Sequence, residues 1–279
     1  MRRPLLPVAG AVLLFLVACT PGAPEAEAPE APEAPVAVPL TPDFDLTADE
    51  LALFAADLAD SLPAEAILVR PAEFLILMRG VLEEDSQLFL IADKENALPA
   101  DYRPDDLVSL NEFDLALNRG DLSLSRSVMP DLLAMDQAAK NEGLRLVYSS
   151  SFRSYEYQNE VYARNVAQLG EEAASRVSAR PGTSQHQLGT TVDFGSITDA
   201  FAATPEGRWL EEHAWEYGFS LSYPKGYEEE TGYVWESWHY RYIGRPAARM
   251  EKLYFDGLQH RLLAFLETYR DFFEERYLK

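Results

Sequence analysis

In the segment 47–60 and in the C-terminal tail, apolar residues recur three or four positions apart, which predicts helices. In the segment 47–60 they follow one helical face, and Thr47 with Glu50 can form a capping box at its start. A second apolar segment, Phe74–Leu82, predicts another helix. The tail from Pro246 onward is also predicted to be helical, with an apolar stripe that should dock on the rest of the protein. The stripe contains Leu258, Leu262, Phe265, Leu266, Tyr269 and Phe272.

The middle of the chain alternates helix-like and strand-like segments. Proline near the start and glycine after the end of a segment mark helix boundaries. On this basis, helices are predicted over residues 128–142, 155–169 and 205–217. Short apolar or alternating runs predict strands over residues 88–92, 144–148, 190–194, 219–222 and 238–243. We therefore predict an α+β fold in which a small antiparallel sheet is flanked by helices.

The composition is that of a globular protein with a strong acidic excess. Of 279 residues, 47% are hydrophobic and 25% are charged, so the chain can bury a sizeable core. Its 24 Lys and Arg residues against 46 Asp and Glu residues give a net charge of −22. Phosphate backbones and anionic membrane surfaces repel such a chain, so nucleic-acid binding is not expected. The single cysteine excludes an intramolecular disulfide and a cysteine-rich zinc site.

The first residues have the pattern of an export signal. Arg2 and Arg3 precede an apolar run, Leu5–Ala18, that is too short to span a bilayer. The four residues that end at Cys19, LVAC, resemble the lipobox of bacterial lipoproteins, in which the signal is cut before a cysteine that is then lipidated. We predict a signal peptide over residues 1–18 and an exported protein that is anchored in a membrane through Cys19. The alternative is an ordinary secretory signal.

Composition divides the rest of the chain into segments. Residues 19–43 comprise the predicted lipidated cysteine and a Pro/Ala/Glu-rich linker, which we expect to be an extended spacer. Residues 44–92 form a predicted N-terminal helical segment in which no chemically suggestive motif is found. Residues 93–257 contain two histidine motifs, and residues 258–279 form the predicted C-terminal amphipathic helix.

Two of the four histidines lie in motifs that could build a metal site. The run SQHQLGTTVD contains His186 and Asp193, and the run ESWHYRY contains Glu236 and His239. A catalytic zinc ion needs three protein ligands and one open position for water. A bend at Gly189 followed by a strand could bring His186 and Asp193 together, and His239 would come from another strand. Glu236 would then lie close enough to exchange a proton with the water.

Spacing alone leaves open that each histidine is an ordinary core or surface residue, since the stronger zinc signature HExxH is absent. However, SxHxxGxxxD followed by ExWHxxY resembles the VanY-type D-alanyl-D-alanine carboxypeptidases. These belong to a zinc peptidase family that also contains VanX dipeptidases and bacterial L,D-carboxypeptidases. The upstream segments 97–108 and 149–158 are similar to the same enzymes, with Phe152 at a position where the family usually has Tyr. The resemblance implies that residues 93–257 form a zinc peptidase domain with a hedgehog/D,D-peptidase-like fold.

Carried over by position, the resemblance implies that Zn²⁺ is bound by His186, Asp193 and His239. It implies that Glu236 is the general base and acid. The implied reaction is hydrolysis of the C-terminal D-alanine from peptidoglycan stem peptides by a zinc-activated water. Stem peptides are therefore the expected partners, and we expect a monomer.

The resemblance further implies that Arg153, Gln158 and Ser184 hold the C-terminal end of the substrate. Arginine offers a forked pair of donors that suits a carboxylate, and glutamine and serine can add neutral hydrogen bonds. Arg153 could instead, or also, stabilise the oxyanion of the tetrahedral intermediate. The tyrosine-containing loop 223–236 is either a substrate-binding lid or a plain connector.

Parts of the sequence are also compatible with three other functions. The motifs are common to D,D- and L,D-carboxypeptidases, so cleavage of tetrapeptide stems is an alternative. A lipoprotein of this fold could also bind wall peptides without cleaving them, but that function predicts a lost ligand or a lost glutamate. A serine peptidase would use an S-x-x-K motif, which Ser222 and Lys225 match. Pro224 lies inside the turn that should join these two residues, and no KTG motif follows.

Overall fold

The structure is a computed structural model that describes residues 39–58 and 64–278. The described residues belong to one compact unit. The predicted signal peptide, the predicted anchor at Cys19 and the linker up to residue 38 lie outside the described residues. Among the helices that are described, none has both the length and the hydrophobicity that crossing a membrane requires.

Short strands and helices alternate along the described chain. The strands are β1 (Pro39–Thr41), β2 (Phe44–Thr47), β3 (Leu107–Ser109), β4 (Ala116–Leu117), β5 (Ser123–Ser125), β6 (Val147–Ser150), β7 (Thr191–Phe194), β8 (Phe219–Leu221) and β9 (His239–Tyr242). The α-helices are α1 (Ala48–Asp57), α2 (Ala64–Val69), α3 (Pro71–Glu83), α4 (Met129–Asn141), α5 (Tyr155–Leu169), α6 (Glu171–Val177), α7 (Pro205–His213), α8 (Glu228–Thr231), α9 (Arg245–Tyr254) and α10 (Gln259–Glu274).

The central sheet has five strands in the order β4-β6-β7-β9-β8. All neighbouring pairs are antiparallel except β4 and β6. These two strands can run parallel because the chain between them crosses over through β5 and α4. The predicted α+β fold with a small, largely antiparallel sheet is therefore confirmed. The register pairs Asp193 on β7 with His239 on β9, and this pairing places two of the candidate ligands side by side.

Local capping signals determine several helix ends. The Thr47 side chain accepts a hydrogen bond from the Glu50 amide, and Glu50 accepts one from the Thr47 amide, which completes the predicted capping box. Helix α5 has the predicted bounds because Ser154 caps its start and Gly170, with φ of 80°, ends it. The helix predicted over 205–217 is α-helical only to His213, and its last four residues form a 3₁₀ turn.

The strand predicted over residues 88–92 is wrong. Residues Ser86–Phe89 form a 3₁₀ turn, which the Asp85 side chain caps. The carbonyls of Leu88 and Leu90 accept hydrogen bonds of 2.7 Å from Nη2 of Arg241, so they need no strand partner. Arg241 is fully buried on β9, two residues after His239. It therefore ties the N-terminal segment to the strand that carries a candidate ligand.

The N-terminal and C-terminal segments pack on each other through aromatic rings. Phe54 of α1 lies 5.1 Å from Phe273 of α10, and Phe74 of α3 lies 5.6 Å from the same ring. Four residues of the predicted apolar stripe are buried, namely Leu258, Leu262, Phe265 and Leu266. The segment predicted as helical over 44–92 begins with a strand, β2, which pairs with β1 just before it.

A buried carboxyl group on α9 should make the stability of the protein depend on pH. Glu251 is 5% exposed, accepts a hydrogen bond from Ser220 Oγ at 2.9 Å, and burial raises its pKa to about 8. Because the folded-state pKa exceeds the unfolded value, its contribution to stability is complete below the unfolded pKa and is lost as the pH rises through 8.

Replacing Glu251 with glutamine should remove this dependence. The Glu251→Gln variant is expected to gain about 4 kcal/mol of unfolding free energy, relative to the wild-type protein, between pH 5 and pH 9. Denaturant unfolding of both proteins at the two pH values measures this gain. Other titrating groups are common to both proteins and cancel in the comparison. If the difference in unfolding free energy between the two proteins is the same at both pH values, the raised pKa assigned to the buried Glu251 is wrong.

Candidate metal centre and active site

A tight bend brings the first two candidate ligands to one point. His186 lies in a 3₁₀ turn, Gln185–Leu188, which ends at Gly189 in the left-handed conformation with φ of 75°. A Cβ atom at Gly189 would lie 2.8 Å from Pro104 Cγ, so this bend requires glycine for both its φ and its space. The chain then enters β7, where the Oδ2 atom of Asp193 lies 3.3 Å from His186 Nε2.

The third candidate ligand comes from the neighbouring strand. His239 Nδ1 lies 3.2 Å from Asp193 Oδ1, and one ligand atom from each of His186, Asp193 and His239 lies within 4.8 Å of the others. All three side chains are buried. Apart from its contact with His239 Nδ1, Asp193 Oδ1 has no polar partner among the described residues, which suits an atom that binds a cation. Two imidazoles and one carboxylate, with room for a fourth ligand, form a donor set that fits zinc.

The hydrogen bonds of the two histidine rings determine which nitrogen of each ring faces the metal centre. His186 Nδ1 lies 2.7 Å from the carbonyl oxygen of Ser151, so Nδ1–H donates there and Nε2 is left to face Asp193. His239 Nε2 lies 3.2 Å from Gln185 Oε1, so Nε2–H donates to that oxygen and Nδ1 is left to face Asp193. Each imidazole can therefore present one unprotonated nitrogen to a metal ion.

Burial and neighbouring charges separate the pKa values of the two histidines. Burial and the Arg153 guanidinium lower the pKa of His186 to about 4. Burial also opposes the charged form of His239, but hydrogen bonds and charges from Asp193 and Glu236 outweigh it and raise its pKa to about 9. Burial alone would raise the pKa of Asp193, but the two histidines hold it well below its usual range. Near neutral pH, His186 is therefore uncharged, whereas His239 carries the one additional proton that a metal ion would have to displace.

Zinc binding should therefore release one proton from these ligands at pH 6. His239, with its pKa of about 9, must lose a proton, whereas His186, with its pKa of about 4, has none to lose. Two histidines with ordinary pKa values would together release about 1.5 protons at this pH. Titration calorimetry of the metal-free protein in buffers of different ionisation enthalpy measures the number. A release of 1.5 or more would contradict the assigned protonation states.

Glu236 lies beside the three ligands at the wall of a cleft. Its Oε2 atom is 3.2 Å from His239 Nδ1, and its carboxylate remains partly exposed. Its backbone amide donates to the Tyr223 carbonyl, and its own carbonyl accepts from the His239 amide, so the turn before β9 fixes its position. A carboxylate held at this distance from a metal ligand can accept a proton from a water molecule in the cleft.

The cleft that reaches the three ligands has a volume of about 320 Å³. Aromatic side chains form part of its wall, namely Tyr157, Tyr223, Tyr233 and Trp238. The loop 223–236 therefore contributes directly to the cleft, although Tyr227 stacks on Arg261 instead. Lys94 steadies this loop, since its Nζ lies 4.6 Å from the centre of the Tyr233 ring and donates to the carbonyl of Gly232.

Arg153 reaches the centre, but it is held by three neighbours. Its guanidinium donates to Ser150 Oγ at 3.0 Å, to Gln158 Oε1 at 3.3 Å and to Asp193 Oδ2 at 2.8 Å. Gln158 is fully buried and is absent from the cleft wall, so any contact with a substrate would be indirect, through Arg153. Ser184, in contrast, lines the cleft beside His186, where a substrate can reach it.

Two polar residues near the centre were not predicted from the sequence. Gln185 occupies the open position of the SxH motif, so the motif gave no signal for it. Arg119 lines the cleft, pairs with Asp121 and donates to the Tyr157 hydroxyl at 3.1 Å. Arg119 lies in a segment without a recognisable motif, and only the fold brings it to the site.

The serine peptidase alternative finds no support in the geometry. Ser222 Oγ donates to Gln185 Oε1 at 2.7 Å, and Lys225 Nζ lies over the Trp235 ring. Among the described residues, no hydrogen bond joins Ser222 to Lys225. The two remaining histidines lie elsewhere, where His213 pairs with Glu216 and His260 with Glu230.

Comparison with known proteins identifies the family. The family model described as VanY, D-alanyl-D-alanine carboxypeptidase, matches residues 121–245, which include all three candidate ligands and Glu236. The solved structure of the vancomycin-resistance D,D-pentapeptidase VanY in complex with Zn(II) is 30% identical to this chain. The match covers 63% of this chain and 99% of that one, with a TM-score of 0.53. The chain belongs to the VanY family.

Other VanY-type relatives extend the comparison. The D-alanyl-D-alanine carboxypeptidase of Enterococcus faecium is 31% identical over 177 residues, which are 61% of this chain and 53% of that protein. The LdcB LD-carboxypeptidase structure is 32% identical, covers 64% of this chain and 86% of that one, and has a TM-score of 0.58. The chain spans between about half and two thirds of the length of the curated relatives that it matches.

Proposed function

We propose that this protein is a zinc-dependent carboxypeptidase that removes the C-terminal D-alanine from peptidoglycan stem peptides. The observation that carries the proposal is the buried cluster of His186, Asp193 and His239 with Glu236 beside it. All four residues lie in the part of the chain that matches the VanY family. The names of the VanY-type relatives support D,D-carboxypeptidase activity in particular.

The residues of the chain divide the proposed chemistry among them. A zinc ion bound at this centre would polarise the scissile carbonyl and lower the pKa of water. Glu236 accepts the proton that the attacking water loses as its oxygen bonds to the carbonyl carbon. When the C–N bond breaks, Glu236 returns this proton to the leaving nitrogen of D-alanine. Water is thus split between the two products, and Glu236 is regenerated.

Arg153 and Ser184 are proposed to hold the C-terminal end of the substrate. Arg153 enters the cleft from the same side as Asp193, and the donors that remain on its guanidinium suit a carboxylate. Ser184 lines the cleft next to His186 and can add a neutral hydrogen bond. Gln158, which binds the Arg153 guanidinium from behind, is proposed to fix its orientation.

A second candidate function is L,D-carboxypeptidase activity on tetrapeptide stems. The likeness to the LdcB LD-carboxypeptidase, with a TM-score of 0.58, supports this candidate. Both reactions release a C-terminal D-alanine, and both use the same metal centre and carboxylate contacts. They differ in the residue that precedes the scissile bond.

Synthetic peptides test the proposed substrate class. A stem pentapeptide that ends in D-Ala-D-Ala should lose one alanine, and the same peptide with a C-terminal amide should lose kcat/KM by about 10²-fold or more because the carboxylate contact is lost. A tetrapeptide stem serves as the L,D substrate. Cleavage of the tetrapeptide alone would favour the second candidate. Equal cleavage of the amide and the free acid would exclude a carboxypeptidase.

We also propose that the protein is exported and held at a membrane by a lipid on Cys19. The basic start, the short apolar run Leu5–Ala18 and the lipobox-like LVAC support this proposal. A Cys19→Ser variant is expected to leave the membrane fraction, whereas the natural protein should remain in it after a high-salt wash. Equal retention of both proteins would contradict the lipid anchor.

A further inference from the structure

A closed ring of three buried polar side chains lies behind His239. Ser222 Oγ donates to Gln185 Oε1 at 2.7 Å, and Gln185 Nε2 donates to Gln259 Oε1 at 3.1 Å. Gln259 Nε2 completes the ring by donating to Ser222 Oγ at 3.2 Å. Gln185, Ser222 and Gln259 are at most 8% exposed. The ring therefore uses its polar atoms internally, apart from the Gln185 oxygen that also faces His239.

With the Gln259 amide oriented as in the structure, Gln185 has only one favourable amide orientation. Its oxygen faces two donors, Ser222 Oγ–H and His239 Nε2–H, and its NH₂ group faces an acceptor on Gln259. A flipped amide would place its NH₂ group against the imidazole N–H and its oxygen against the Gln259 oxygen. Such donor–donor and acceptor–acceptor contacts are costly in a buried site.

The residue that closes the ring comes from outside the matched family region. Gln259 is the first residue of α10, whereas the family model ends at residue 245. The rings of Phe265 and Phe273 on the same helix pack against the N-terminal segment. Apolar packing of Phe265 and Phe273 thus fixes helix α10 against the N-terminal segment. Its first residue, Gln259, is thereby held in the ring behind the metal centre.

We infer that Gln259 is a positioning residue for the metal centre. It fixes the amide of Gln185, which in turn holds His239 with Nε2 protonated and Nδ1 directed at Asp193. Outer hydrogen-bond partners of metal-bound histidines commonly change metal affinity by 10- to 100-fold when they are removed. The inference rests on the proposed zinc site, and it assigns the C-terminal helix a role in that site.

Two substitutions of Gln259 separate positioning from packing. Gln259→Met keeps the size of the side chain but removes both ring contacts, so it should weaken zinc binding about tenfold. Gln259→Glu keeps an acceptor for Gln185 Nε2 but loses the donor to Ser222 Oγ, so it should bind zinc more tightly than Gln259→Met but more weakly than the wild-type protein. Leu262→Val, a buried apolar change on the same helix, is the packing control. It should lower the melting temperature of the metal-free protein without changing zinc affinity.

The readout is the zinc dissociation constant, measured on the full chain by competition with a chromogenic chelator, together with the melting temperature of the metal-free form. If Gln259→Met does not fold, Ser222→Ala breaks the same ring by losing one oxygen atom and should weaken zinc binding at least threefold. Wild-type zinc affinity in folded Gln259→Met, or in Ser222→Ala if Gln259→Met does not fold, would overturn the inference. A natural protein that binds no zinc would instead overturn the proposed function.

Discussion

Replacing Glu236 with alanine is expected to leave zinc bound and to lower kcat by about 10²–10⁴-fold. Glu236 contacts the centre only at 3.2 Å from a ligand nitrogen, and the donor set of His186, Asp193 and His239 is complete without it. The loss should therefore fall on proton transfer and not on metal binding. Zinc content by mass spectrometry under native conditions and alanine release from a stem peptide measure the two effects.

The control for this variant is Glu229→Ala. Glu229 is an exposed glutamate in α8, on the same loop as Glu236 but outside the cleft wall. This control should retain both zinc and activity, which separates loss of one carboxylate near the site from a general change of charge. Full activity of the Glu236→Ala protein would show that the assigned proton shuttle is wrong.

Replacing His239 with alanine is expected to remove zinc and activity together. The variant loses one of three protein ligands, and the Asp193 carboxylate loses the cationic neighbour that helps to hold its pKa low. A metal ion supplies several kcal/mol of transition-state stabilisation, so kcat/KM should fall by about 10³-fold. Zinc titration and peptide hydrolysis at saturating zinc measure the two losses.

His213→Ala is the matched control for the histidine. His213 pairs with Glu216 at 3.1 Å and stacks near Trp209, away from the candidate centre. Its replacement should leave one zinc ion per chain and natural activity. Natural zinc affinity in the His239→Ala protein would show that His239 is not a ligand, whatever happened to turnover.

The sequence predicted the elements whose ends are fixed by neighbouring residues. Helix α5 has its predicted bounds because Ser154 and Gly170 act within one turn of its ends. The strand predicted over 88–92 is wrong because the decisive contact comes from Arg241, about 150 residues later in the chain. A single-sequence pattern contains the apolar character of this segment but not the buried guanidinium that binds its carbonyls.

The candidate site likewise contains residues that short motifs predict and contacts that only the fold creates. His186, Asp193, Glu236 and His239 lie in short motifs, so a resemblance to a zinc peptidase family predicts them from the sequence alone. The contact between Gln185 and Gln259 joins positions 74 residues apart, and no motif specifies either residue, since Gln185 fills the variable position of SxH and Gln259 follows the last motif. Such hydrogen-bond partners become visible only when the fold brings the start of the C-terminal helix behind the metal centre.

The most direct test of the proposed activity is mass spectrometry of purified wall muropeptides after incubation with the full-length protein. Pentapeptide and tetrapeptide stems are incubated separately, with and without a zinc chelator. The proposed D,D-carboxypeptidase should release one alanine from the pentapeptide, lose this activity with the chelator and regain it when zinc is restored. A protein that is confirmed to bind zinc yet leaves both stems intact would contradict the proposal and favour a wall-peptide-binding lipoprotein.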